Sequence, residues 1–274
     1  MTSPAPLTPA PSRASWVRLA LIGAAGGLLS GAFGVGGGIL MVPLLIVFAD
    51  MDQRRASATS LAAIVPTAVV GAITYSVNGE VDVIAALFVA AGGIVGGWLG
   101  AKLLGRIPLT WLRWMFIGLL VIVAARMLFL VPERVAGLVE LDALTIVGMV
   151  VLGVVIGIAA GLFGIGGGII MVPAFIILLG MSDLVAKGTS LAVMIPTAVS
   201  GTVTNARSGI VDLRAGIIAG AAATVASFGG VAIAHVLSPE WSTWLFSALI
   251  VIATVQLAVR AVRAQRRERN ERGR

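Results

Sequence analysis

Two nearly identical glycine clusters interrupt apolar segments of this chain, at positions that differ by 130 residues. The first stretch reads GAFGVGGGILMVPLL (31–45) and the second reads GLFGIGGGIIMVPAF (161–175), with ten identical residues in fifteen. Glycine destabilises the interior of an α-helix, so consecutive glycines between two apolar segments predict a break between two helices. Each stretch therefore predicts two apolar helices joined by a glycine loop.

The same offset continues over most of the chain without a gap. TSLAAIVPTAVVG (59–71) matches TSLAVMIPTAVSG (189–201) at nine of thirteen positions. Self-similarity at a fixed spacing is the mark of a duplicated structural unit. The predicted organisation is a disordered extension (1–15), a first membrane repeat (16–130), an extracytoplasmic linker (131–142), a second membrane repeat (143–263) and a basic cytoplasmic tail (264–274).

The composition places both repeats in a membrane. Hydrophobic residues make up 59% of the chain, charged residues only 11%, and the mean hydropathy is +1.07. A soluble domain carries about 25% charged residues. The apolar runs are long enough to cross lipid, and the alternating pattern of a membrane β-barrel is absent. The sequence therefore predicts an all-α integral membrane protein.

The residues that enzymes need are scarce. The chain has no cysteine and one histidine, and it contains no H-E-x-x-H motif. No ionisable side chain falls at the middle of a predicted span. We therefore expect no enzymatic activity, no catalytic residues, no metal and no cofactor.

Lysine and arginine residues predict the orientation. The chain ends in RAVRAQRRERNERGR (260–274), which we place on the cytoplasmic side of a plasma membrane, against anionic lipid and not nucleic acid. Following the predicted helices back from there puts sixteen Lys and Arg residues inside and three outside. Both termini are then cytoplasmic.

On this assignment each glycine-broken segment, 16–49 and 143–180, begins and ends on one side of the membrane. The arm at 39–49 would rise only about 16 Å at 1.5 Å per residue, too little for a hydrocarbon core of about 30 Å. We therefore expect re-entrant hairpins. Three crossing helices follow each hairpin, and this odd number inverts one repeat relative to the other, as in many secondary transporters.

The hairpin tips are the first candidate for a binding site. The helix that starts after each cluster, GVGGG (34–38) or GIGGG (164–168), offers backbone N–H groups without helical partners and the positive end of its dipole. Both features favour an anion, and glycines allow a close approach. The alternative is that the glycines only permit tight packing. We favour ligand binding, because irregular backbone at membrane depth is tolerated only where it is buried or lines a cavity.

Hydroxyl residues recur near these tips. Thr67 and Thr197 each follow a proline midway along a predicted helix. Their hydroxyls either reach the site or bond to their own helix, and the sequence leaves both open. Ser60 and Ser190 are either helix starts or gate contacts, and a structural role is favoured because serine is a common helix cap.

For three ionisable residues, Asp82, Asp212 and His235, the sequence favours a structural or incidental role over a part in binding or proton sensing. Asp82 and Asp212 follow Gly-x-Val at predicted helix starts, which indicates N-caps. His235 has no counterpart in the first repeat, which favours an incidental histidine near the membrane surface over a proton sensor.

The paired stretches, each followed by TSLA-xxx-PTA, resemble the motifs of the sulfite exporter TauE/SafE family over residues 16–263. The resemblance implies a bacterial or archaeal plasma-membrane permease for sulfite, sulfonates and related small organic acids. The resemblance implies that the glycines and threonines bind the substrate. We add Ile39 and Ile169, which directly follow the glycines, to this set of binding residues. The predicted substrate-binding residues are Gly34, Gly36, Gly37, Gly38, Ile39 and Thr67 in the first repeat and Gly164, Gly166, Gly167, Gly168, Ile169 and Thr197 in the second.

The function that we expect is alternating-access transport of a small sulfur oxyanion, with export favoured by the resemblance. The alternatives are a passive anion channel with the same filter and a permease for other small organic acids. A homo-oligomer is left open, because nothing in the sequence decides the number of subunits.

Overall fold

The fold is known from a computed structural model that describes residues 13–129 and 143–272. Within these residues the chain forms ten α-helices. The helices are α1 (Arg13–Phe33), α2 (Gly38–Phe48), α3 (Gln53–Val77), α4 (Val83–Arg106), α5 (Leu109–Phe129), α6 (Ala143–Phe163), α7 (Gly168–Leu179), α8 (Asp183–Arg207), α9 (Leu213–Val236) and α10 (Pro239–Arg272).

Seven of the described helices are long and apolar enough to cross a membrane. These segments are Trp16–Phe33, Gln53–Val77, Val83–Arg106, Ala143–Phe163, Asp183–Arg207, Leu213–Val236 and Glu240–Arg263. Three described apolar segments are shorter: Gly38–Phe48, Leu109–Ile122 and Gly168–Leu179. The protein is therefore an all-helical, multi-pass membrane protein, as the composition predicts.

The glycine clusters break the helices as expected. Gly36 and Gly37 have φ angles of 77° and 70°, and Gly166 and Gly167 have φ angles of 73° and 88°. Residues with a Cβ atom rarely adopt this left-handed region. The turn between α1 and α2, and the matching turn between α6 and α7, therefore require glycine.

The first helix of each repeat packs against a helix of the other repeat. A Cβ atom placed on Gly23 of α1 would lie 2.1 Å from the carbonyl oxygen of Ala219 in α9, and one on Gly27 would lie 2.0 Å from that of Ala223. The backbones touch, so only glycine fits at these two positions. The contacts advance together along both helices, and α1 and α9 therefore run in the same direction.

The second repeat makes the equivalent contact. A Cβ atom on Gly153 of α6 would lie 2.1 Å from the carbonyl oxygen of Val89 in α4, and one on Gly157 would lie 2.5 Å from that of Gly93. These four residues are the 130-residue counterparts of the α1–α9 set. The repeats are thus interleaved, with each supplying a helix that lies along the partner repeat.

The central helices α3 and α8 cross in opposite directions. A Cβ atom on Gly71, late in α3, would lie 2.8 Å from Cδ1 of Leu191, early in α8. One on Gly201, late in α8, would lie 2.6 Å from Cδ2 of Leu61, early in α3. Helices α3 and α8, which are counterparts in the two repeats, therefore run antiparallel at this contact.

Several predicted boundaries differ from the structure. Helix α3 begins at Gln53, capped by Asp52, and α8 begins at Asp183, capped by Ser182. Ser60 and Ser190 thus lie inside helices, and their interpretation as helix starts is wrong. Helix α1 begins within the predicted extension, and α10 continues through most of the predicted basic tail because no glycine or proline precedes Gly273 there. The predicted linker (131–142) lies outside the described residues.

Candidate functional site

The two glycine loops, 34–38 and 164–168, touch each other inside the protein. A Cβ atom on Gly38 would lie 2.4 Å from the carbonyl oxygen of Gly164, and one on Gly168 would lie 2.5 Å from that of Gly34. Every residue from 34 to 39 and from 164 to 169 is buried, including Ile39 and Ile169 at 0% exposure. The structure thus brings the ten predicted glycine and isoleucine positions into one place.

The loops contain consecutive backbone amides without hydrogen-bond acceptors. The amide of Gly34 donates to the Ser30 carbonyl (2.9 Å) and that of Leu40 to the Gly37 carbonyl (3.1 Å), but the amides of residues 35–39 make no hydrogen bond of normal geometry. In the second loop, the described amides of residues 165–169 likewise make no backbone hydrogen bond of normal geometry, although residues 166–167 form a turn. Buried amides are nearly always paired, so a run of unpaired ones indicates a site for an acceptor.

The loop carbonyls, in contrast, are held across the repeats. Ser60 Oγ of the first repeat donates to the Gly164 carbonyl (2.9 Å). Ser190 Oγ of the second lies 2.5 Å from the Gly34 carbonyl and 2.8 Å from the Lys187 carbonyl, and these two acceptors share its one hydrogen. Each serine therefore fixes the start of the opposite loop. Fixing one peptide helps to hold the orientation of the amides that follow it.

Two side chains that the sequence did not single out cover the loops. A Cβ atom on Gly36 would lie 2.5 Å from Sδ of Met194 and 3.3 Å from Cγ2 of Ile64, and one on Gly166 would lie 2.7 Å and 3.3 Å from the same atoms. Ile64 and Met194 are counterparts at the 130-residue offset, and both have 0% exposure. Each lies three residues before the matching threonine of its repeat, and this spacing is a signal that the sequence offers.

The hydroxyls of both predicted threonines bond to their own helices. Thr67 donates to the Ala63 carbonyl of its own helix (3.1 Å) and Thr197 to that of Val193 (2.9 Å). Each hydroxyl hydrogen is thereby used, and the Thr197 hydroxyl lies against Gly93 of α4. Contact with an anion remains a prediction, and it requires each hydroxyl to rotate away from its own helix.

A polar cluster links the repeats near the end of α3. Tyr75 donates to the Gly31 carbonyl (2.8 Å), and its ring stacks on His235 with the ring centres 5.9 Å apart. His235 Nε2 lies 3.0 Å from Oε2 of Glu80. The histidine therefore bridges the two repeats, through a contact between residues 155 apart that leaves no trace in local sequence. Its interpretation as an incidental histidine and not a proton sensor stays a prediction.

Other charged residues near the site are paired. Lys187, only 2% exposed, binds Asp183 (2.5 Å) and Ser242 (3.0 Å). Asp212 binds Arg55 of the other repeat (2.8 Å). Asp212 also caps α9, as Asp82 caps α4, and both N-cap predictions are confirmed.

A known protein family matches both halves of the chain. The family described as "Sulfite exporter TauE/SafE" matches residues 2–127 and, a second time, residues 149–274. The chain belongs to the TauE/SafE family of membrane transporters.

Individual relatives carry names of the same kind. The Bacillus subtilis protein named "Probable membrane transporter protein YdhB" is 31% identical over 189 residues, 68% of this chain and 77% of that relative. YunE of the same organism, named likewise, is 28% identical and covers 72% of this chain and 81% of its own length. A Haemophilus influenzae protein named as a probable membrane transporter is 30% identical over 62% of this chain. No solved structure matches the chain.

Proposed function

We propose that this protein exports small sulfur-containing oxyanions, such as sulfite or organosulfonates, across the plasma membrane by alternating access. The observation that carries the proposal is the pair of buried loops whose successive amides have no acceptor. An anion bound there would accept hydrogen bonds from both repeats at once. The transporter names of the relatives support transport over catalysis.

The helix directions support an inverted repeat with re-entrant hairpins. Helices α3 and α8 occupy equivalent places in the two repeats and run antiparallel at their contact. Helix α2 has 11 residues and α7 has 12, so each spans about 16–18 Å, well short of a hydrocarbon core of about 30 Å. The short arms therefore return to the side from which α1 and α6 entered.

The basic residues support cytoplasmic termini. Sixteen of the nineteen Lys and Arg residues fall on the inner side in this arrangement. It places Arg55 and Asp212 near the cytoplasmic face and Tyr75, Glu80 and His235 near the outer face. The arginines at the end of α10 would then contact anionic lipid.

The chemistry of the loops suits an oxyanion. Backbone amides at a helix N-terminus act as hydrogen-bond donors in a positive field, without a charged side chain that would hold the ligand too tightly to release. The buried cation nearest the first loop, Lys187, is already paired with Asp183. A sulfur oxyanion presents several acceptor oxygens in different directions, which fits donors that arrive from two loops. Sulfite is chosen within this class from the family description.

The cross-repeat serines fit a gating role. The bonds from Ser60 to Gly164 and from Ser190 to Gly34 each join one repeat to the loop of the other. When one repeat rocks against the other, one of these bonds can open while the other stays closed. This would expose the anion to one side at a time.

The test is anion binding to the purified protein by calorimetry, with sulfite compared against sulfate, sulfoacetate and chloride. A Cβ atom on Gly167 would lie 2.6 Å from Cγ2 of Ile156, whereas one on Gly209 meets nothing within 4 Å, and both glycines have positive φ. We expect saturable sulfite binding that is lost in Gly167→Val and kept in Gly209→Val. Sulfite binding that survives Gly167→Val would contradict the loop site.

Transport of the bound anion separates a carrier from a channel. Proteoliposomes that contain a carrier show counterflow, in which external sulfite accelerates the exit of labelled internal sulfite. A passive channel gives single-channel currents and no counterflow, and this result would refute alternating access while leaving the anion site in place.

A further inference from the structure

Asn205, near the end of α8, is a fully buried residue with no partner for its side chain. Its exposure is 0%, and in the described structure neither Nδ2 nor Oδ1 makes a hydrogen bond. Thr202, one turn earlier on the same helical face, also has a buried hydroxyl without a partner. Native structures leave few such groups unpaired, and two on one helical face call for a partner such as a water or a ligand.

The position equivalent to Asn205 in the first repeat holds a larger side chain whose polar atom is hydrogen-bonded. The counterpart of Asn205 is Tyr75, whose hydroxyl is bonded and whose ring stacks on His235. The counterpart of His235 is Gly105, and a Cβ atom there would meet only Cδ1 of Ile210, at 3.9 Å. Two stacked rings at the outer end are thus replaced at the inner end by one small amide and one glycine.

Asn205 also lies close to the predicted path of the anion. Gly201, one helical turn earlier, would bring a Cβ atom within 3.9 Å of the Cα atom of Gly161. Gly161 precedes the loop residue Gly164 by three positions, near the end of α6. In the proposed orientation, Asn205 therefore stands between the second loop and the cytoplasm.

We infer that Asn205 and Thr202 form a second subsite on the cytoplasmic side, which takes the oxyanion in its singly protonated form. This inference rests on the proposed transport of a sulfur oxyanion. A carboxamide offers N–H donors and an acceptor oxygen side by side. A hydrogen sulfite ion has acceptor oxygens for Nδ2 and for the Thr202 hydroxyl, together with one proton to donate to Oδ1. A fully deprotonated dianion would leave Oδ1 facing an acceptor.

The experiment measures sulfite transport in oriented membrane vesicles, with substrate offered at the cytoplasmic face or at the outer face. The variants are Asn205→Leu and Thr202→Val. The control is Thr204→Val on the same helix, because the Thr204 hydroxyl is already bonded to the Ser200 carbonyl (2.9 Å). A hydrogen bond to a charged group is worth about a tenfold change in affinity or more.

We expect Asn205→Leu to raise the half-saturating sulfite concentration at the cytoplasmic face by about tenfold, with a small change at the outer face. Thr202→Val should act in the same direction and Thr204→Val should be neutral. The effect of Asn205→Leu should shrink as the pH rises and the substrate loses its proton.

Other outcomes refute the subsite. Unchanged transport in both Asn205→Leu and Thr202→Val would mean that these groups hold a structural water only. Equal changes at the two faces would indicate a general effect on folding or on the central site. A wild-type protein that moves no sulfur oxyanion from either face would refute the proposed function, and the subsite with it.

Discussion

A methyl group at Gly36 is the smallest change that tests whether the loop amides bind the substrate. Gly36 has a φ angle of 77°, and Gly79, in the turn after α3, has a φ angle of 72°. Alanine at either position adopts the same unfavourable backbone region, at a cost of about 1–2 kcal/mol. The two variants are therefore matched in strain and differ in what surrounds the methyl group.

The surroundings decide the expected effect on binding. At Gly36 the new Cβ atom would lie 2.5 Å from Sδ of Met194, a flexible side chain that can move, whereas at Gly79 nothing lies within 4 Å. The Gly36→Ala methyl group would therefore occupy the space beside the loop amides. Losing one hydrogen bond to a charged ligand costs about 1.5–3 kcal/mol, which is about a 10- to 150-fold loss of affinity.

The assay combines denaturant unfolding in detergent with sulfite binding by calorimetry. We expect both variants to lose about 1–2 kcal/mol of stability and only Gly36→Ala to lose sulfite affinity. If Gly36→Ala bound sulfite as tightly as Gly79→Ala, the anion could not lie against this loop and the argument from the unpaired amides would fail.

Three further predictions concern topology, packing and a buried hydrogen bond. Because the chain has no cysteine, a single cysteine introduced by Gly79→Cys or Gly209→Cys can be labelled selectively. An impermeant maleimide should label Gly79→Cys from outside and Gly209→Cys only from inside. Labelling of both variants from one side would refute the inverted repeat. Gly27→Leu should prevent folding, seen as loss of the folded peak in size-exclusion chromatography, because its Cβ atom would lie 2.0 Å from a backbone oxygen of α9. Gly118→Leu should fold normally, because nothing lies within 4 Å of its Cβ atom. A folded Gly27→Leu protein would contradict the close α1–α9 contact. Tyr75→Phe leaves the buried Gly31 carbonyl unpaired and should lower the free energy of unfolding by about 1–3 kcal/mol, and an unchanged value would show that this bond contributes nothing.

The sequence predicted features that depend on local chemistry. The glycine clusters end helices because glycine adopts the left-handed backbone at Gly37 and Gly167 without the strain that a Cβ atom brings, and a run of glycines is visible in the local sequence. Asp82 and Asp212 were recognised as caps for the same reason, since a cap bonds an amide three residues ahead. Such features need no knowledge of the rest of the fold.

Features that depend on distant partners could not be predicted. Gly23 and Gly27 of α1 lie against the backbone of α9 in the other repeat, and nothing in the local sequence identifies that partner helix. Met194 resembles any apolar residue of a membrane helix, and its place over both loops follows from the crossing of α3 and α8. The contacts of His235 with Glu80 and Tyr75 form only when the repeats interleave, so the local sequence could not predict them.

The most direct test of the anion site is a structure of the protein in lipid nanodiscs with sulfite bound. The account predicts density for the anion between the two loops, with its oxygens about 2.7–3.2 Å from amide nitrogens of residues 35–39 and 165–169. Density elsewhere in the protein, with both loops unoccupied and their amides unpaired at saturating sulfite, would contradict it.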